Sequence, residues 1–340
     1  MVYFRILGML LIVVQMGALA GCKGAVLRSA RIQMQEDQWE QADENLAKAL
    51  LEDPDNDEVH FLLGRSYAHR GEFDKMNAAL ARVVELKSTR ATEVQQLKRQ
   101  YWIENYNRGV AALEEQRYEA AIGPLKAATV INPTKADAIL NTAFAYYKLD
   151  RLDECIAAYK QVAELQPDDT ETIARIGFLH FNRQEYEPAV EYLGRAAALD
   201  STNEEVLLAL GNAYSSLERE DEALAVYQQV LMKDPDNYAL QINMGRIYWH
   251  KKEYEPAIQY YAKAVELDPQ RQDALHDLAM SHIQLKQYAA ALPHLERLVE
   301  LNDINGEAWY WLGTAYAHLN RTEESAEAYE KAEKLGVGVE

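Results

Sequence analysis

Residues 309–316 read Trp-Tyr-Trp-Leu-Gly-Thr-Ala-Tyr, and this stretch sets the register of the whole chain. Its glycine is the last of seven small residues that recur every 34 positions: Gly109, Ala143, Gly177, Gly211, Gly245, Ala279 and Gly313. Before them, Ala30 and Gly64 show the same spacing of 34. A fixed period of this length is typical of a chain built from stacked structural units, and the count predicts about nine of them.

Further positions repeat in phase with the small residue. Tyrosine recurs three places after it, at Tyr67, Tyr146, Tyr214, Tyr248 and Tyr316. Alanine recurs twelve places after it, at Ala42, Ala121, Ala189, Ala223, Ala257 and Ala291. Leucine or tyrosine recurs sixteen places after it, and proline closes many units, at Pro54, Pro133, Pro167, Pro235 and Pro269. This order predicts two packed amphipathic helices in each unit, the second ended by the proline.

The pattern resembles the tetratricopeptide repeat (TPR), which reads Trp-x2-Leu-Gly-x2-Tyr, then Ala-x3-Phe, then Pro. Trp309, Leu312, Gly313 and Tyr316 carry its first half nearly verbatim. The resemblance covers residues 22–335 and implies an all-α fold, a right-handed TPR α-solenoid in which helix-turn-helix repeats stack into a superhelix. Residues 336–340 are expected to form a short tail. Cys155 replaces a repeating alanine, which predicts a small buried core residue.

One insertion interrupts the register. The step from Gly64 to Gly109 is 45 residues rather than 34, and the segment 87–104 contains neither Pro nor Gly. Eleven extra residues equal about three helical turns, so they lengthen a helix without rotating its face. We expect a single long helix from about residue 90 to residue 114. Its basic residues, Lys87, Arg90, Lys98 and Arg99, indicate a solvated face or a dock for an acidic partner or a lipid headgroup.

Residues 1–21 differ in character from the rest of the chain. Arg5 is their only charge, and the segment 6–18 (ILGMLLIVVQMGA) is apolar apart from Gln15. This is typical of a secretory signal peptide. The following Leu-Ala-Gly-Cys resembles the lipobox of bacterial lipoproteins, which implies acylation of Cys22. Because Lys23 rather than Asp follows, the resemblance implies an outer-membrane anchor facing the periplasm if the source is Gram-negative.

The resemblance to the tetratricopeptide repeat also implies where a partner binds. In TPR proteins the first helix of each repeat lines a concave groove that holds a peptide or protein segment. The corresponding positions here are Tyr106, Asn107, Asn141, Phe144, Tyr147, Arg175, Phe178, Phe181 and Trp249. Aromatic groups supply contact area and Asn or Arg can bind a peptide backbone. Phe144 and Phe178 have an alternative role as packing between first helices, so Tyr147 and Phe181 are the favoured groove residues.

Composition and motifs bear on the remaining functions. The chain has a formal net charge of −19, which disfavours nucleic acid as a partner. Its eight histidines form no His-Glu-x-x-His motif, and no Gly-rich phosphate loop occurs. We therefore predict no catalytic site, no metal and no cofactor.

The favoured hypothesis is a lipid-anchored periplasmic scaffold in cell-envelope assembly, serving pilus, secretion or peptidoglycan machinery. The alternatives are an assembly factor that self-associates through its C-terminal repeat, and a cytoplasmic adaptor.

Overall fold

The computed structural model describes residues 24–338, and every regular element in that range is an α-helix. The first eight helices are α1 (24–35), α2 (Trp39–Glu52), α3 (Asp57–His69), α4 (Phe73–Glu85), α5 (Ala91–Glu114), α6 (Tyr118–Ile131), α7 (Ala136–Lys148) and α8 (Leu152–Leu165). The next ten are α9 (Thr170–Asn182), α10 (Tyr186–Leu199), α11 (Glu204–Ser216), α12 (Glu220–Leu231), α13 (Tyr238–His250), α14 (Tyr254–Leu267), α15 (Gln272–Gln284), α16 (Tyr288–Leu301), α17 (Gly306–His318) and α18 (Thr322–Lys334).

These helices form consecutive pairs, one pair for each sequence repeat. The pairs belong to two compact units, one ending at Asp169 after α8 and the other beginning at Thr170 with α9. The all-α TPR-type fold and its nine repeats are thereby confirmed within residues 24–338. The predictions of a signal peptide and of acylation at Cys22 concern residues outside that range.

The repeating small residue lies where the two helices of a pair come closest. A Cβ added to Gly64 would lie 2.6 Å from Cδ2 of Leu80, and one added to Gly177 would lie 2.7 Å from Cγ of Leu193. In both cases the contacted side chain is sixteen residues later, on the second helix of the same repeat. The phase relationship seen in the sequence is therefore a direct packing contact between the paired helices.

The turn inside each repeat uses the left-handed backbone region. After α5, Gln116 has φ 58°, and the N–H of Arg117 donates to the carbonyl of Ala112 at 2.8 Å. Equivalent positions with positive φ are Asp37, Gly71, Asp150, Gln184, Glu218, Lys252, Lys286 and Asn320. Only one of the nine is glycine, so in most repeats the hydrogen-bonded turn offsets the cost of a left-handed side-chain residue.

Asparagine begins several first helices. The side-chain oxygen of Asn237 accepts a hydrogen bond from the N–H of Leu240 at 3.2 Å, which caps α13. Asn56, Asn203 and Asn305 do the same for α3, α11 and α17. Because Pro54 and Pro235 stop the preceding helix two residues before Asn56 and Asn237, the Pro-Asp-Asn sequence both ends one repeat and starts the next.

The insertion lengthens a helix as predicted. α5 runs unbroken for 24 residues, from Ala91 to Glu114, against the 13 residues of α7. Its inserted part packs in the core of the first unit through Val94 and Trp102. The predicted burial of Cys155 is also confirmed, since its exposed fraction is 0%.

Candidate partner-binding surfaces

The first helices of the third and fourth repeats meet through two of the predicted residues. The amide nitrogen of Asn141 on α7 donates to the hydroxyl oxygen of Tyr106 on α5, at 3.1 Å. Phe144 lies about one turn beyond Asn141 and Tyr147 lies another turn on. We name these four residues, Tyr106, Asn141, Phe144 and Tyr147, the α5/α7 surface.

Two large aromatic groups of this surface remain accessible. Phe144 is 40% exposed and Tyr147 is 51% exposed. Phe144 rests edge-on against Tyr118, with ring centroids 6.2 Å apart, and the ammonium of Lys148 lies 5.4 Å from its centroid. Phe144 therefore packs partly on Tyr118 of α6, and the rest of its side chain faces solvent. Such neighbouring exposed aromatic groups commonly mark an interaction site.

The other predicted residues are differently placed. Asn107 on α5 is exposed. In the second unit, the exposed Arg175 pairs with Glu171 one turn earlier, at 2.6 Å. Phe178 is half-buried. Phe181 is half-buried and packs edge-on against Tyr186, with centroids 5.8 Å apart.

Trp249 is half-buried as well and packs edge-on against Tyr254, with centroids 5.1 Å apart. It also packs against the hydrophobic core that α13, α14 and α15 form. Much of its indole therefore contributes to packing rather than to an open surface.

A separate polar cavity of about 690 Å³ opens between α11 and α13 in the second unit. The side chains that line it include Asn212, Ser215, Tyr227, Asn243, Arg246 and His250. At its floor the hydroxyl of Tyr227 donates to the side-chain oxygen of Asn212 at 2.5 Å. Burial raises the pKa of Tyr227 to about 12, so its hydroxyl stays protonated at neutral pH.

The α11/α13 cavity is suited to a polar ligand. Asn212, Asn243 and Arg246 present amide and guanidinium groups that match the N–H and C=O groups of an extended peptide. Arg246 retains donors for a ligand, since its only ion pair in the described part of the chain is a 3.6 Å contact with Asp277. The role of Tyr227 in this cavity was not predicted from the sequence. The signal for it is the tyrosine sixteen places after the glycine, which recurs as Tyr261 and Tyr329.

Two further findings concern the range 24–338. No group of three or more His, Cys, Asp or Glu side chains there is arranged to hold a metal ion. None of the helices in that range combines the length and the apolar character needed to span a membrane.

Two family models of the tetratricopeptide repeat match most of the chain. One matches residues 33–101 and 112–175, and the other matches residues 208–271 and 276–336. The chain therefore belongs to the tetratricopeptide-repeat family, a class of helical scaffolds that bind protein or peptide partners.

Several solved TPR structures are similar to the chain. YrrB, described as a TPR protein with an unusual peptide-binding site, is 17% identical over 58% of this chain and 97% of its own, with a TM-score of 0.47. MamA from Desulfovibrio magneticus RS-1 (residues 41 to the end) is 20% identical over 49% of this chain and 94% of its own, with a TM-score of 0.44. A MamA structure labelled AMB-1 is 22% identical over 50% and 93%, with a TM-score of 0.46. No curated protein matches the chain.

Proposed function

We propose that this protein is a lipid-anchored periplasmic scaffold that captures partner proteins during assembly of the cell envelope. The observation that carries the capture function is the α5/α7 surface, where Phe144 and Tyr147 are exposed beside the polar pair of Asn141 and Tyr106. Its partners would belong to the pilus, secretion or peptidoglycan machinery.

Capture at the α5/α7 surface has a simple physical basis. Covering Phe144 and Tyr147 removes aromatic area from water, which is favourable by roughly 25 cal/mol per Å² of apolar surface. Both rings stand on a helix, so a partner binds them at little cost in ordering the scaffold. Asn141 already donates to Tyr106, and its side-chain oxygen remains available to a donor of the partner.

The anchor rests on the sequence of residues 1–22. An apolar segment followed by Leu-Ala-Gly-Cys supports acylation at Cys22. More than one acyl chain is needed for stable attachment, since a single chain binds a membrane only marginally. Because residue 24, two positions after Cys22, is already helical, an anchor at Cys22 would hold the first repeat close to the membrane surface.

Metabolic labelling tests the anchor. Radiolabelled palmitate should enter the wild-type protein and not the Cys22→Ser variant, and the labelled protein should fractionate with the outer membrane. Absence of label from the wild type would exclude the anchor and favour a cytoplasmic adaptor.

Quantitative affinity capture from envelope extracts tests the binding surface. The double variant Phe144→Ala with Tyr147→Ala should lose the proteins that wild type retains. Leu165→Ala is the matched control, since Leu165 is also 40% exposed but lies at the end of the second helix α8. Equal losses from both variants would argue against capture at the α5/α7 surface.

Self-association through the last repeat has less support. The charged side chains that α18 exposes are Glu323, Glu327, Glu330, Glu333 and Lys334, of which Lys334 pairs with Glu330, so the exposed face is net acidic. No large hydrophobic group of α18 is exposed. Two such faces of like charge repel each other, so partner capture is the function that the described surface favours.

A further inference from the structure

The inserted part of α5 and the turn between α6 and α7 enclose a cavity of about 480 Å³ in the first unit. From α5 it is lined by Gln95, Lys98, Arg99 and Trp102, and from the turn by Asn132, Thr134 and Lys135. We call it the Trp102 cavity. It exists because the insertion extends α5 far enough to reach this turn.

Three cations surround the Trp102 cavity without neutralising partners. Within residues 24–338, no carboxylate lies within ion-pair distance of Lys98, Arg99 or Lys135. Burial lowers the pKa of Lys98, and no nearby carboxylate counteracts that effect. In a chain of net charge −19, uncompensated positive charge gathered around one concavity is the electrostatic pattern of an anion site.

Arg90 shows the contrast within the same insertion. Its guanidinium lies 3.1 Å from Glu93 and 3.5 Å from Asp57, so its charge is already compensated. The basic patch seen in the sequence thus divides into a neutralised end at Arg90 and a cationic cavity at Lys98 and Arg99.

Trp102 supplies an unused hydrogen-bond donor. Its side chain is only 9% exposed, and the ammonium of Lys135 lies 3.8 Å from its ring centroid. Its indole Nε1–H is buried and makes no hydrogen bond within the described range. A buried donor without an acceptor costs about 1–3 kcal/mol.

The Trp102 cavity adjoins the α5/α7 surface. Trp102 stacks on Tyr106 with ring centroids 4.7 Å apart, and Tyr106 accepts the hydrogen bond from Asn141. α7 begins at Ala136, directly after Lys135, and no side chain caps it. The positive end of its helix dipole therefore adds to the field of the cations.

We propose that the Trp102 cavity binds carboxylate groups of an acidic peptide segment in the partner protein. Lys98, Arg99 and Lys135 would pair with the carboxylates beside the Trp102 ring. The peptide assignment rests on the proposed capture function, because it makes this cavity one end of the α5/α7 surface.

An acidic peptide fits better than an anionic membrane. An anionic membrane presents negative charge over an area as large as the protein, so the protein's net charge of −19 repels it. A few carboxylates act only within the Debye length of about 10 Å, where the three cations dominate. A short acidic segment is therefore attracted to a site from which a broad anionic surface is repelled.

The test uses the full-length chain in a neutral detergent and fluorescein-labelled tetraglutamate as the probe. Fluorescence polarisation should show binding that weakens as NaCl is raised. Arg99→Gln and Lys98→Gln should each weaken it about tenfold, the effect of losing one charged hydrogen bond. The indole N–H resonance of Trp102, identified by its loss in Trp102→Phe, should shift with the same affinity.

Arg108→Gln is the matched control. Arg108 lies on the same helix, is exposed, and makes no ion pair within the described range. Nine residues separate it from Arg99, which places it on the opposite face of α5. Its replacement should leave binding unchanged, whereas a loss equal to that of Arg99→Gln would overturn the proposal by showing non-specific attraction.

Two further probes identify the source of the anion. Inorganic phosphate that shifts the Trp102 resonance while tetraglutamate does not would overturn the carboxylate assignment. Phosphatidylglycerol vesicles that bind through Lys98 and Arg99 while the peptide does not would overturn the peptide assignment. Peptide binding that survives Phe144→Ala with Tyr147→Ala supports the cavity independently, even if capture at the α5/α7 surface fails its own test.

Discussion

Gly211 and Tyr227 are in such close contact that no side chain fits between them. A Cβ added to Gly211 would lie 2.4 Å from Cε1 of the Tyr227 ring. The hydroxyl of the same tyrosine donates to Asn212 at the floor of the α11/α13 cavity. One side chain therefore fixes the spacing of α11 and α12 and also forms part of a candidate binding surface.

Replacing Gly211 by alanine should destabilise the second unit. The added methyl group must displace a ring that is only 1% exposed, and overpacking of this kind typically costs about 1–3 kcal/mol. Urea unfolding followed by circular dichroism measures the change.

Gly194→Ala is the matched control for that substitution. Gly194 lies inside α10, and nothing lies within 4 Å of a Cβ added there. Alanine should raise the free energy of unfolding by about 0.5–1 kcal/mol, because it lowers the entropy of the unfolded chain and favours the helix. Equal effects of the two substitutions would contradict the packing role of Gly211.

Removing the cap of α13 should also cost stability. Asn237→Ala leaves the N–H of Leu240 without its side-chain acceptor and should lower the free energy of unfolding by about 1 kcal/mol. Asn237→Asp keeps an acceptor oxygen and should stay within a few tenths of a kcal/mol of wild type. Chemical denaturation of both variants checks the difference, and an equal loss in both would show that the hydrogen bond is unimportant.

Two histidines should titrate on opposite sides of the ordinary value of about 6.5. The hydrogen bond with Asp277 raises the pKa of His276, and the charges of Asp277 and Glu307 add to the effect. Burial lowers the pKa of His294, and His282 lowers it further. NMR titration of the imidazole C–H resonances should place His276 above 6.5 and His294 below it, and the reverse order would contradict the described contacts.

These shifts carry opposite signs for stability. The folded state binds the His276 proton more tightly, so this contribution is complete below pH 6.5 and is lost as the pH rises through the folded pKa. The folded state binds the His294 proton less tightly, so stability falls as the pH drops below 6.5. His294→Gln should therefore reduce the loss of stability on mild acidification, and thermal unfolding at pH 5.5 and 7.5 measures it.

The fold could be predicted from the sequence because its information is local and repeated. The small residue, the tyrosine and the proline recur in phase, and this predicts the helix pairs. The one interruption of that phase predicts a long helix at 90–114, which is found as Ala91–Glu114. The Trp102 cavity could not be predicted, because it joins Lys135 to a tryptophan 33 positions earlier and depends on where the lengthened helix meets a turn. Helical spacing also gives the position of Phe144, but its exposed fraction depends on how Tyr118 packs beneath it.

Site-specific photo-crosslinking tests capture at the α5/α7 surface most directly. A benzophenone amino acid is placed at position 147 or, as the control, at position 165, and the cells that make the protein are irradiated. Position 147 should yield a discrete crosslinked product that position 165 does not, and adding Phe144→Ala should greatly reduce it. Identical products at both positions, or none at position 147, would contradict the proposed scaffold function.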